Sequence, residues 1–235
     1  MEHRRFDTLG GIERHWLKTK LHFRVGALGA AEHAPLGALY VWNDDEIAPH
    51  SGFDMHAHRN VEIVTVVRSG EITHRDSVGN ASALRAGDVQ VMSAGRGLRH
   101  SERNEHDEPV LLFQIWLTPR SEENDPHWAV RRFAERDAHG ALVVLASGDA
   151  KDIQTGALPL DADARVLGAT MQAGDTIRFA VTPQCQAYVV TTHGRVDIGD
   201  ARLAARDGLA IHGPGAVVIR AVDDTSVAIV DRLVA

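Results

Sequence analysis

Short apolar runs bounded by glycine, aspartate or asparagine recur along this chain, at residues 61–67, 89–92, 110–117 and 187–192. Runs of this length separated by turn residues predict strands, and many short strands predict a sandwich or a barrel. Asp76-Ser77-Val78-Gly79-Asn80 lies between two strand-like stretches and predicts a hairpin loop with positive φ near Gly79 or Asn80. The expected fold is all-β with few short helices.

The pattern occurs twice. Gly70-Glu71-Ile72 followed by Leu84-Arg85-Ala86-Gly87-Asp88-Val89-Gln90-Val91 is matched by Gly194-Arg195-Val196 followed by Leu203-Ala204-Ala205-Arg206-Asp207-Gly208-Leu209-Ala210-Ile211. The shared order of strand, turn, strand, charged turn and strand predicts two tandem β-barrels. Between them, residues 119–126 are rich in Ser, Glu, Asn and Asp and read as a surface connection. A stretch with two basic residues, Arg131 and Arg132, follows at 128–135 and leads to a turn at Asp137-Ala138-His139-Gly140. The boundary is set between 127 and 128, giving an N-terminal domain of residues 1–127 and a C-terminal domain of residues 128–235.

Composition narrows the partners. A chain of 235 residues can bury a sizeable core. Its formal charge of −7 argues against direct contact with a nucleic-acid backbone, which needs clustered Lys and Arg. The single cysteine, Cys185, cannot form an internal disulfide, which fits a reducing cytoplasm, and it reads as a small core residue. The opening Met1-Glu2-His3-Arg4-Arg5 has no secretory apolar stretch and no long apolar run follows, so a soluble cytoplasmic protein away from membranes is expected.

Candidate chemistry sits in two short pairs, His56-Ala57-His58 and His100-Ser101-Glu102. Residues at i and i+2 of a strand share a face, so two such strands side by side offer His56, His58, His100 and Glu102 to one metal. Three neutral imidazoles and a carboxylate suit a first-row divalent ion and leave coordination positions free. Gly95-Arg96-Gly97 lacks the Lys and Ser or Thr of a phosphate-binding loop and reads as a tight turn into His100. Asn43-Asp44-Asp45-Glu46 lacks the spacing of a calcium loop and reads as a solvated turn.

The flanking residues carry a resemblance. His56-x-His58 followed by Glu62, then Gly87 through Ser93-x-Gly95 to His100 and Asn104, resembles the two-part pattern of the cupins. Gly70-Glu71, His74-Arg75-Asp76-Ser77, Gly79-Asn80, Gly87-Asp88 and Ser93-Ala94-Gly95-Arg96-Gly97 resemble one cupin branch, the pirins. The likeness extends to Trp16-Leu17, Leu39-Tyr40-Val41, Asn43-Asp44-Asp45 and Gln114-Ile115-Trp116-Leu117. Ala57 stands where the family usually has proline, which loosens the loop and leaves both ligands in place.

The resemblance implies two tandem cupin-type barrels, a bicupin, with metal in the first only. The second copy holds just His193 and His212 at comparable places, and both read as turn residues. Many cupins use a glutamate at the Glu62 place, whereas the pirin resemblance implies Glu102 as the ligand and leaves Glu62 behind the ligands or on the strand surface. Asn104 either touches the cavity or holds a turn, and Phe53, Met55 and Met92 either line an apolar pocket or fill core. The implied activity is quercetin 2,3-dioxygenase: a flavonol and O2 as substrates, Glu102 as catalytic base, and one divalent transition metal, iron first, with Zn, Mn, Co, Ni or Cu also fitting the ligands. The alternatives are a non-catalytic regulator that binds a protein partner through a metal-dependent surface, or an oxygenase for another enolizable small molecule.

Overall fold

The computed structural model describes residues 1–133 and 138–234. Asp137, the first residue of the expected turn before Gly140, lies outside them, as does the end of the preceding basic stretch. Within them the chain forms 22 strands, one α-helix, Ala150–Gln154, and one 3-10 turn, Phe6–Thr8. The all-β expectation holds.

The strands make four sheets. A seven-stranded sheet orders β12 (His127–Arg132), β9 (Asp88–Ser93), β6 (Glu62–Ser69), β11 (Val110–Leu117), β4 (Leu39–Ile47), β3 (Leu17–Leu21) and β2 (Gly11–Glu13). A four-stranded sheet, β5 (Ser51–His58), β10 (Leu98–Asn104), β7 (Glu71–Asp76) and β8 (Ala81–Arg85), completes this first barrel. The second repeats the scheme: a seven-stranded sheet of β1 (Glu2–Arg4), β20 (Gly208–His212), β17 (Cys185–His193), β22 (Thr225–Val234), β15 (Arg165–Met171), β13 (Val143–Ser147) and β14 (Leu158–Pro159). Its four-stranded sheet is β16 (Thr176–Val181), β21 (Gly215–Ala221), β18 (Val196–Ile198) and β19 (Ala201–Leu203). The sequence repeat therefore marks equivalent strands, with β7, β8 and β9 answering to β18, β19 and β20. The units also exchange ends: β1 pairs with β20 of the second barrel, and β12, which begins at the chosen boundary, pairs with β9 of the first.

Alternation explains the core. Phe113, Ile115 and Leu117 on β11, Val64 on β6, and Val89 and Val91 on β9 turn toward the second unit. There they join Tyr188, Val190, Ala228 and Val230 in one cluster between the two large sheets. The intervening residues of the same strands face the interior of the first barrel, so these strands are buried on both faces and read as continuous apolar runs. The second barrel is filled by a separate apolar cluster that includes Ile177, Phe179, Ile198, Leu209 and Ile219.

Turns follow their chemistry. Asp76 accepts from the backbone N–H of Val78 and Asn80 at 3.0 and 2.9 Å, and Gly79 supplies φ +103°. Gly95 has φ +45°, and a Cβ there would lie 2.1 Å from the Asn124 carbonyl, so the connecting segment packs directly on the turn that launches β10.

One expectation is corrected. Asn43-Asp44-Asp45-Glu46 is part of β4 and not a solvated turn, with Asp44 and Asp45 both buried. Asp44 faces the second unit, where it accepts from Arg206 Nε at 2.6 Å and Nη2 at 2.8 Å and also pairs with Arg68. Paired arginines satisfy a carboxylate that could not otherwise be buried. Removing one partner of such a pair leaves uncompensated charge behind, so Asp44→Ala is expected to lower unfolding free energy by about 3–5 kcal/mol in urea titrations.

Candidate metal centre

Strand β10 positions the site because it lies between β5 and β7. On one side His100 pairs with His56 and Glu102 with Phe53; on the other, His100 pairs with Asp76 and Glu102 with His74. Asp54 and Met55 together oppose the single Ser101, which makes a β-bulge. The bulge moves Phe53 onto the face of His56 and His58, where its ring lies 6.1 Å from His56 and 5.1 Å from Trp16. Met55 points outward at 44% exposure and does not line the cavity, while Met92 is core beside Ile63.

The three predicted histidines converge. Ring centroids lie 4.8 Å apart for His56 and His58, 4.5 Å for His56 and His100, and 4.9 Å for His58 and His100. Candidate ligand atoms of these three all lie within 4.8 Å of one another. A second group meeting the same limit is His74, His100 and Glu102, so His100 belongs to both and Glu102 sits on the inner side.

The donors suit a metal. His56 Nδ1 lies 2.7 Å from the Asp54 carbonyl at the bulge, and donating there leaves Nε2 as the lone-pair nitrogen. His58 Nε2 and both nitrogens of His100 are buried without a hydrogen-bond partner. Orphaned imidazole nitrogens in one cluster are costly unless something electrophilic completes them. Burial pushes the His100 imidazole down to about 3, aided by His56 and His74, and pushes His58 down to about 4, aided by His100 and His56. Both are neutral at pH 7, the form that donates to a metal.

Sequence reasoning missed His74. It is fully buried, its Nε2 lies 3.4 Å from Asp76 Oδ2, its ring is 5.4 Å from His100, and its Nδ1 has no partner. Its signal was available as an inward-facing position two residues before Asp76 on the strand beside β10. Also missed were Gln90 and Gln114, the lone strongly polar residues in the apolar runs of β9 and β11, which both donate to Glu102.

Glu62 and Asn104 find structural partners. Glu62 is buried, accepts from the Ser93 hydroxyl and from the Asp161 backbone N–H at 3.1 Å, and is pushed up to about 6 by burial. Asn104 donates to the Ile47, Ala48 and Glu108 carbonyls and accepts from His106 N, which pins the turn after β10. In the second barrel, Ile177, Phe179 and Ile219 on β16 and β21 are buried apolar residues on the strands equivalent to β5 and β10. His193 and His212 are exposed at strand ends and join no metal-competent group among the described residues.

Two tandem barrels, with a histidine cluster in the first and an apolar filling in the second, define a bicupin. The chain belongs to the pirin family. The family profile described as Pirin matches residues 3–117, and one described as the quercetinase C-terminal cupin domain matches residues 144–231. A pirin-like protein of Caulobacter vibrioides is 46% identical over 96% of this chain and 97% of its own length. Quercetin 2,3-dioxygenase of Escherichia coli K12 is 31% identical over 97% and 96%. The crystal structure of YhhW from Escherichia coli superposes with a TM-score of 0.92 at 31% identity, covering 98% of this chain and 96% of that one. A second YhhW structure, TM-score 0.90, is a complex with nickel(II).

Two opposed pH effects follow. A histidine with a depressed pKa contributes stability above pH 6.5 that is lost as pH falls toward its folded value. In chelator-treated protein, stability is expected to fall between pH 6.5 and 4, by on the order of a few kcal/mol, and His100→Gln is expected to remove much of that slope in urea titrations. Burial pushes the Asp45 carboxyl up to about 7, with Asp44 and Glu102 adding to the rise. A raised acid contributes stability at low pH that is lost as pH climbs. Asp45→Asn is therefore expected to gain stability relative to wild type between pH 4 and 7, read by the same titrations.

Proposed function

We propose that His56, His58, His100 and Glu102 hold one divalent transition metal, and that the protein is a pirin-type dioxygenase that cleaves flavonols such as quercetin with release of carbon monoxide. The observation that carries this reading is the cluster of neutral imidazoles with orphaned nitrogens beside the buried carboxylate of Glu102. The names of relatives supply the substrate class, and the nickel(II) complex of YhhW supports metal binding by this fold. Iron, nickel and the other first-row ions all suit the donor set. When bound, the metal supplies Lewis-acid and redox chemistry toward an enolate and dioxygen.

The chain's own groups do the rest. Glu102 takes the proton of the flavonol 3-hydroxyl, and the resulting anion is the electron-rich partner of O2. Both oxygen atoms enter the cleaved product, and one carbon of the central ring leaves as carbon monoxide. A cavity of about 430 Å3 beside His58 is lined by Ala57, Arg59, Ser77, Arg96, Leu98 and Arg99. Two of its arginines are paired with carboxylates, Arg59 with Glu123 at 2.6 Å and Arg96 with Asp125 at 2.6 Å. The free, half-buried Cys185 fits a reducing cytoplasm, and no helix among the described residues is long and apolar enough to cross a membrane.

The test is aerobic quercetin consumption with carbon monoxide detection on protein loaded separately with each metal. Release that requires metal, oxygen and His100 is expected, with His100→Ala and Glu102→Gln each lowering kcat by roughly a hundredfold or more. Stoichiometric metal binding with no turnover under any metal would overturn the dioxygenase reading and favour a protein-binding regulator. Full activity of Glu102→Gln would remove Glu102 as the base.

A further inference from the structure

Glu102 is 1% exposed, and among the described residues no lysine or arginine pairs with it. Its carboxylate is met by amides. Gln114 Nε2 donates to Oε2 at 2.7 Å, and Gln90 Nε2 donates to Oε1 at 3.1 Å. Each amide is met in turn by an indole: Trp116 Nε1 donates to Gln114 Oε1 at 3.0 Å, and Trp128 Nε1 donates to Gln90 Oε1 at 2.8 Å. Thr65 lies between the two arms, with its hydroxyl 3.5 Å from Glu102.

Backbone register builds this arrangement. Asn43, Gln114, Thr65 and Gln90 are direct cross-strand partners on β4, β11, β6 and β9, so they form one polar rung across the sheet. In the next rung Trp116 pairs with Ile63, Ile63 with Met92, and Met92 with Trp128. The two indoles thus flank Ile63 and Met92 in an apolar rung, which continues past Trp116 to Val41, and each donates to an amide of the polar rung. They also touch histidines: Trp116 meets His58 edge-on at 5.0 Å, and Trp128 stacks on His74 at 5.5 Å.

The donor inventory fixes the direction of every bond. An indole N–H can only donate, so each glutamine must turn its carbonyl oxygen to the tryptophan and its NH2 to Glu102. Without the indoles, either amide could turn over and point oxygen at the carboxylate, which repels it. We propose that Trp116 and Trp128 are positioning residues that lock Gln114 and Gln90 with both amide NH2 groups on Glu102, holding that carboxylate in the orientation in which it ligates the metal. Oε1 accepts from both Gln90 and Thr65, whereas Oε2 accepts from Gln114 and keeps a lone pair for the metal or for a substrate proton. Trp128 lies on β12, between the two segments matched by the family profiles, so the strand that leads toward the second unit also serves the metal centre of the first.

This inference rests on the reading that the barrel binds a divalent ion, and cobalt(II) separates the two. Cobalt affinity against a competing chelator, and the cobalt ligand-field absorption, would be measured for wild type, Trp116→Phe, Trp128→Phe, the double variant, Gln114→Met and Gln114→Met/Trp116→Phe. Phenylalanine keeps one aromatic ring and deletes the N–H donor together with the second ring of the indole, and the Gln114→Met background separates the loss of the donor from the loss of packing. The double tryptophan variant is expected to bind cobalt at least tenfold more weakly with a shifted spectrum. Trp116→Phe should weaken binding in wild type and cost nothing further once Gln114 is methionine, because it acts through that amide. Unchanged affinity and spectrum in the double variant, or an undiminished Trp116→Phe penalty in the Gln114→Met background, would overturn the proposal in favour of simple packing. Absence of cobalt binding by wild type would overturn the metal reading itself. Should Trp128→Phe fail to fold, as read by circular dichroism, the Gln114 arm on β11 decides the question alone.

Discussion

Two seven-stranded sheets pack face to face, and the apolar layer between them is what allows the first barrel to carry polar groups inside. Trp42, Phe113, Ile115, Tyr188, Val190 and Val230 lie in that layer with little or no exposure. Each fully buried side chain of this size is worth about 1.5–3 kcal/mol. Because side chains alternate, the same strands that stabilise the interface present their other residues to the barrel. Gln114 and Gln90 can therefore be buried on strands whose neighbours Phe113, Ile115, Val89 and Val91 hold the molecule together. A carboxylate and a set of imidazoles inside a barrel cost stability, and the opposite faces of the same strands offset it.

The two barrels show the contrast within one chain. Strand order is the same in both, and the equivalents of β5 and β10 are β16 and β21. In the second barrel Ile177, Phe179 and Ile219 make an apolar filling. In the first, apolar clusters around Leu112 and Met92 lie either side of a polar middle containing the histidines, Glu102 and the amide rung. Site and scaffold are thus the same fold with different inward residues, and chemistry enters where alternation brings polar groups onto one face.

Much of this was legible from residue order. The His-x-His and His-x-Glu spacings work because period two is local: once a stretch is a strand, i and i+2 share a face wherever the strand lies. The hairpin at 76–80 and the turn at Gly95 were legible because their backbone conformations demand particular residues. Other readings failed for non-local reasons. Asn43-Asp44-Asp45-Glu46 looks solvated because its charges are visible and its partners, Arg68 and Arg206, are not; Arg206 is 162 positions away from Asp44. His74, though part of the family pattern, was not legible as a neighbour of the site because its relation to His100 and Glu102 is a sheet register. Phe53 faces inward because a bulge, set by pairing with β10, shifts the alternation of β5.

The sequence by itself determined the all-β class, the duplicated strand pattern, the turn positions and the residue types able to hold a metal, since each depends on side chains within a few positions of one another. The tertiary structure decided which residues meet. It joined β12 to the first sheet and β1 to the second, placed Asp44 between two arginines, moved Glu62 to an inter-unit contact with Asp161, and set Trp116 and Trp128 on the glutamines that hold Glu102. Those meetings depend on which strands pair and in what register. That outcome depends on the whole chain minimising exposed apolar surface at once, and no local window contains it.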